Sequence, residues 1–168
     1  MNPEDEQTIH EGPRFSVHRA KFPGDRTREW VRAPTSVAMV AYDEEHVYLV
    51  RQPREAVDAP DLLELPAGKL DVEGETPLEC AQRELAEEIG MRARSWSELK
   101  RFYTTPGFAQ EEVTLFLATG LEPIADHEPD PSERIEVVSW PLGELDAAIG
   151  ECRDSKTLIG LLLIDPQR

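Results

Sequence analysis

The stretch from Thr76 to Met91 constrains this chain more than any other, because its side chains specify both ends of a helix. Thr76 can act as the N-cap, Pro77 stands at the first helical position, and Glu79 completes a Thr-x-x-Glu capping box. Gly90 can close the helix in the left-handed conformation. At about 100° per residue, Leu78, Ala81, Leu85 and Ile89 share one side, the side a layered fold would bury. Glu84, Glu87 and Glu88 stand at i, i+3 and i+4 on nearly the opposite, exposed side, and Arg83 is spaced to pair with Glu87 or with Glu79. Like charges at this spacing cost a few tenths of a kcal/mol each, and no lysine on this face relieves them. One reading is a solvated acidic face. The other is a site for hard divalent cations, which take carboxylate oxygens together with water and phosphate.

Composition narrows the partners. The 168 residues carry 18 Lys+Arg against 34 Asp+Glu, a formal net charge of −16. That balance argues against a nucleic-acid binder, which shows a basic patch, and against docking on an anionic membrane. No apolar stretch approaches the ~20 residues of a membrane span. Two cysteines make no disulfide framework, and the opening Met1-Asn2-Pro3-Glu4-Asp5-Glu6 is polar and acidic, so a cytoplasmic location is expected. His10, His18, His46 and His127 have no zinc spacing with Cys80 and Cys152.

The rest of the chain reads as strands around that helix. Residues 1–13 read as a loose tail. Arg14–Ala20 and Thr27–Ala33 form an N-terminal β-hairpin about the turn Pro23-Gly24-Asp25. Ser36–Tyr42 and His46–Val50 are short apolar runs that suit buried strands. A polar loop with Pro53 and Pro60 follows. Further strands are expected near Leu99–Tyr103, Val113–Ala118 and Ile135–Trp140, with an acidic loop from Leu121 to Glu133. Helical segments over Leu142–Ile149 and Lys156–Ile164 close the chain. Strands broken by a central helix and followed by terminal helices predict an α/β layered domain.

The helix also carries a resemblance. Glu75, seven residues, then Arg83-Glu84-Leu85-Ala86-Glu87-Glu88-Ile89-Gly90-Met91 resembles the Nudix box. Six residues, Lys69 to Gly74, separate Gly68 from Glu75 where the box usually has five. The extra residue falls in the loop before Thr76, so the helix keeps its register. The resemblance implies a Nudix α/β/α sandwich with a mixed β-sheet, here over residues 34–168. Residues 1–33 would be a tail and hairpin that serve dimerisation. It also implies cleavage of a nucleoside diphosphate linked to another group. Glu84 and Glu88 would be the main metal ligands, Glu87 a third ligand or part of the base system, and the carbonyl of Ala67 a further ligand. Arg83 would orient the glutamates. Mg²⁺ is the implied metal, with Mn²⁺ as a substitute.

Segments outside the box resemble the ADP-ribose pyrophosphatase subgroup. They are Pro106, fifteen residues after Met91, within Thr105-Pro106-Gly107-Phe108; Leu49–Arg54; Leu63–Gly68; and Arg153–Thr157. The implied reaction is hydrolysis of ADP-ribose to AMP and ribose 5-phosphate by a homodimer. Arg51 and Arg54 offer forks matched to phosphate, and Glu64 adjoins the metal loop. Trp30, with Glu29 beside it, would hold the adenine. Glu133 is the expected catalytic base, chosen over Glu128 and Glu136. A Nudix hydrolase of another nucleotide sugar or of an oxidised nucleotide is the alternative. A binding module without catalysis would have lost box glutamates, and all are present here.

Overall fold

The computed structural model of the chain describes residues 3–125 and 134–164. Ten strands are present among them: β1 (Glu4–Glu11), β2 (Ser16–Phe22), β3 (Arg26–Arg32), β4 (Ser36–Tyr42), β5 (His46–Arg54), β6 (Ala59–Glu64), β7 (Ala67–Lys69), β8 (Met91–Tyr103), β9 (Glu112–Pro123) and β10 (Glu136–Pro141). The helices are α1 (Pro77–Ile89), α2 (Leu145–Glu151) and α3 (Ser155–Ile164). Strands β1-β2-β3 form a small antiparallel sheet. The large sheet runs β10-β5-β4-β9-β8, with β6 paired to β5 and β7 to β4. It is mixed, because β4 and β9 run parallel while its other pairs are antiparallel.

Strand β4 explains the layering. Ser36 to Ala41 are all buried, as expected of a strand covered on both faces. Its side chains alternate. Val37, Met39 and Ala41 pack with Cys80, Ala81, Leu85 and Ile89 of α1. Ala38 and Val40 pack on the other face with Leu145, Ala148 and Leu161 of α2 and α3. The result is helix, sheet, helix. Helix α3 lies unusually close to the sheet at Gly160, where a Cβ would stand 2.6 Å from Leu65 Cδ1 and 2.8 Å from Val40 Cγ2.

The sheet forks at its centre. β4 and β5 pair only at Ala41–Tyr42 with Tyr48–Val47. Beyond that point β6 takes the edge of β5 and β7 takes the edge of β4. The link Leu65-Pro66 crosses the fork, and Pro66 O accepts the Met39 amide at 2.9 Å. The fork delivers Ala67 to the end of the sheet where α1 passes.

Several local expectations change. Strand β8 begins at Met91 and not near Leu99, and β9, paired with it, runs through Leu121–Pro123, where the sequence alone suggests the start of a loop. Residues 4–11 form a strand and not a loose tail, because β2 supplies a hydrogen-bonding edge and Glu6 reaches Arg32 at 2.9 Å. Pro53 and Pro60 stand in β5 and β6 and not in a loop; they lie where that pairing becomes irregular, which tolerates proline. Leu78, in the first turn of α1, is 38% exposed, so the buried stripe begins at Cys80 and Ala81.

Candidate active site

Helix α1 starts and stops as its sequence dictates. Thr76 Oγ1 accepts the Glu79 amide, the Glu79 carboxylate accepts the Thr76 amide at 2.8 Å, and Gly90 closes the helix at φ 66°. This box consumes Glu79, so Arg83 does not pair with it. Arg83 instead donates two parallel bonds to Glu75, at 2.9 and 3.0 Å, and single bonds to Glu84 at 2.7 Å and Glu87 at 3.0 Å. The Glu75 bonds, before all else, hold the guanidinium firmly protonated, and they keep the Glu75 carboxyl below its ordinary range. Gly74, at φ +83°, turns the one-residue-longer loop so that Glu75 still reaches Arg83.

The three box glutamates do not share an exposed face. Glu88 is buried, and its Oε2 accepts the Ala67 amide at 2.9 Å. The Glu84 side chain is 13% exposed and lies over Gly68, where a Cβ would meet its Cδ at 1.9 Å. Only Glu87 stands in solvent, at 54%. The helix tilts its carboxylates into the fork because the β7 backbone offers them a donor and a glycine-sized gap.

A cavity of about 410 Å³ opens on Glu88, lined among others by Arg54, Glu64, Ala67, Gly68 and Lys156. Glu64, 1% exposed, accepts two bonds from Arg54, at 2.6 and 2.8 Å, and lies 3.7 Å from Lys156 Nζ. Hydrogen bonding to Glu64 outweighs burial and raises the Arg54 pKa. Lys156 also donates to Asp154 at 2.7 Å. Burial opposes ionisation of Asp154, but the Lys156 charge and the bonds from Lys156 and Thr157 outweigh it and keep the carboxyl below its ordinary range. Cations thus alternate with carboxylates beside Glu88.

The donor set fits a hard divalent cation. Glu84, Glu88 and the Ala67 carbonyl are oxygen donors, and among the described residues no thiol or imidazole lines the cavity. Among the described residues no three His, Cys, Asp or Glu side chains form a ready-made cluster. Cys80 is buried, its thiol pushed up to about 12 by burial, so it is a packing residue.

The remaining expected residues divide. Trp30, Glu29 and Pro106 line a second cavity of about 500 Å³ beside the small sheet. Trp30 stacks on His18 at 5.7 Å, and Glu29 accepts Arg19 Nε at 2.7 Å. The Pro106 turn is tied to β3, with Val31 N donating to Phe108 O and Gln110 N to Val31 O, both at 2.8 Å. Arg51 does not join the cavity of Glu88. It pairs with Glu151 and donates to Asp61 O at 3.2 Å. Glu136 lines the same cavity as Arg51, which adjoins through Gln52, Pro53 and Glu55 a cavity that Arg54 and Glu88 line, while Glu128 and Glu133 lie outside the described residues.

Sequence reasoning did not single out Glu111, Asp154 and Lys156, all of which line the site. Glu111 accepts Thr104 Oγ1 at 2.8 Å and Ser36 Oγ at 3.5 Å. The signal available was the subgroup resemblance of Arg153–Thr157, which named the segment but not the side chain.

Comparison with known proteins agrees with this fold. The NUDIX domain family matches residues 32–158. An ADP-ribose pyrophosphatase of Mycobacterium tuberculosis is 37% identical over 166 residues, covering 94% of this chain and 80% of the relative. An ADP-ribose pyrophosphatase of Bacillus subtilis is 41% identical over 117 residues, covering 68% of this chain and 62% of the relative. Among solved structures, one titled as an ADP compounds hydrolase superposes with a TM-score of 0.80 at 24% identity, covering 98% of this chain and 92% of that one, which supports the fold. With a capped glutamate helix, a forked mixed sheet and the family match over most of its length, the chain belongs to the Nudix family of pyrophosphate-cleaving hydrolases.

Proposed function

We propose that this chain hydrolyses ADP-ribose to AMP and ribose 5-phosphate with Mg²⁺, for which Mn²⁺ can substitute. The observation that carries the proposal is one cavity in which the oxygen donors of Ala67 and Glu88 face the cations Arg54 and Lys156. Glu84, Glu88 and the Ala67 carbonyl hold the metal. Glu87 is a third ligand or part of the base system, and Arg83 sets the carboxylates by its four bonds. A divalent cation bound there would neutralise the pyrophosphate and would acidify a water for attack on phosphorus. Arg54 and Lys156 add fixed positive charge for the phosphates in a chain whose overall charge repels them. Trp30 stacks on the adenine, with Glu29 at its edge and Pro106 shaping the opposite wall. Residues 1–33 join two copies into a homodimer that works in the cytoplasm. No helix among the described residues is long and apolar enough to cross a membrane.

The test is product analysis on ADP-ribose, other nucleotide sugars, diadenosine polyphosphates and 8-oxo-dGTP, each with Mg²⁺ and with EDTA. AMP release from ADP-ribose should lead the series and vanish in EDTA. Preference for another member of the series would overturn the substrate and leave the metal chemistry. ADP-ribose binding without turnover in either metal would overturn the reaction itself.

A further inference from the structure

Thr157 makes bonds that neither helix formation nor packing requires. It is the third residue of α3 and fully buried. Asp154 Oδ2 accepts the Thr157 amide at 2.9 Å, which already caps the helix. The hydroxyl is an addition. It donates to the same carboxylate at 2.7 Å and accepts the Leu65 amide at 2.7 Å, ninety-two positions away in sequence.

The direction of these bonds is forced. An ionised carboxylate only accepts, so the single hydroxyl proton goes to Asp154 and the oxygen faces Leu65 as an acceptor. Lys156, 2.7 Å from the other Asp154 oxygen, favours that ionised state. Leu65 opens the link across the fork. Pro66 follows and has no N–H, so the Leu65 amide is the last backbone donor before Ala67. Pro66 O is fixed by Met39 and the Ala67 amide by Glu88. Three contacts in succession therefore set this backbone, and the first belongs to a helix that contributes nothing else at Leu65 N.

We propose that Thr157, held by Asp154, is a positioning residue for the metal end of the cavity: its hydroxyl fixes the Leu65 amide and thereby the place at which Ala67 meets Glu88. The proposal rests on the reading of Ala67, Glu84 and Glu88 as metal ligands.

The test uses Mn²⁺ binding to the full chain, followed by electron paramagnetic resonance, in the wild type and in Thr157→Val, Thr157→Ser and Glu88→Gln. Valine keeps the shape and leaves the amide of position 157 to donate to the Asp154 carboxylate that caps the helix. Outer partners of metal ligands typically contribute about 10–100-fold in metal affinity. The Mn²⁺ Kd should rise at least about tenfold in Thr157→Val and stay within about twofold of wild type in Thr157→Ser. Saturating metal should restore most of the kcat of Thr157→Val. Wild-type affinity in Thr157→Val, with binding lost in Glu88→Gln, overturns the positioning role. Equal losses in the valine and serine variants overturn it too, since volume and not the hydroxyl would then matter. Wild-type affinity in both Thr157→Val and Glu88→Gln overturns the metal-ligand reading and this role with it. If Thr157→Val does not fold, Mg²⁺ titration of the wild type by NMR decides: the Leu65 amide and Thr157 methyl signals should shift together with Ala67, and stationary signals overturn the proposal.

Discussion

From Ser36 to Ala41 every residue of β4 is buried, whereas the described side chains of β1 are exposed from Asp5 to Glu11. The first strand is fixed by apolar neighbours on both faces. The second is fixed by its ladder with β2 and by charges, Glu6 reaching Arg32 at 2.9 Å and lying 3.0 Å from His18 Nδ1. The small sheet in turn meets the large one through the turn after Pro106, whose Phe108 and Gln110 bond to Val31. The chain thus combines a region specified by its own interior with one whose placement depends on a few polar contacts. The proposed metal ligands sit in the first and Trp30 in the second.

Stability measurements should separate the two regions most sharply. Leu115→Ala, in the core under α3, should cost about 2–5 kcal/mol of unfolding free energy. Ile9→Ala, at 43% exposure in β1, should stay within about 0.5 kcal/mol in the same urea titration. A loss above about 2 kcal/mol at Ile9 would mean that β1 is buried in solution, as an interface between copies requires.

Gly68→Ala should sharpen the contrast by damaging function without the fold. The added Cβ would collide with the Glu84 side chain, which can swing into solvent. Metal-dependent turnover should fall about 10–100-fold, with the melting temperature nearly unchanged. Unchanged turnover would show that Glu84 is not needed where the structure holds it.

Acid should produce the smallest effect, and it should arise in the covered region. Asp154 titrates below its ordinary value of 3.8 in the folded state. Its stabilisation is therefore present above that value and lost as pH falls through the lower folded one. Urea midpoints followed from about pH 6 to about pH 3 should fall less steeply in Asp154→Asn than in the wild type. Identical slopes would place the acid-sensitive contacts elsewhere, for example at Glu75, which is also depressed.

What the sequence disclosed follows the range of the interactions. The ends of α1 depend on neighbours three or four residues away, so Thr76, Glu79 and Gly90 were legible as a cap and a stop. The box pattern located Glu84 and Glu88. Their burial was not legible, because it depends on the gap at Gly68 in another strand. Helical spacing offers Arg83 both Glu87 and Glu79: the Glu87 pair forms, whereas the Glu79 carboxylate serves Thr76, and Glu75, which no helical spacing indicates, arrives from the loop. Strand β1 was missed because Glu4-Asp5-Glu6-Gln7 has little intrinsic strand preference and takes its conformation from β2. The contact of Thr157 with Leu65 leaves no local pattern at all.

Gly160 has a consequence for anyone engineering this enzyme. Exchanging a mid-helix glycine for alanine is a routine way to raise heat resistance, worth up to about 1 kcal/mol where the site is open. Here the added methyl would press on Leu65 and Val40 and lift α3 from the sheet. Because the start of that helix holds the Leu65 amide, the displacement would travel along the fork to Ala67 and Glu88. A thermostability campaign should leave this helix alone and direct its substitutions to Gly143 and Gly150, where an added methyl meets nothing within 4 Å.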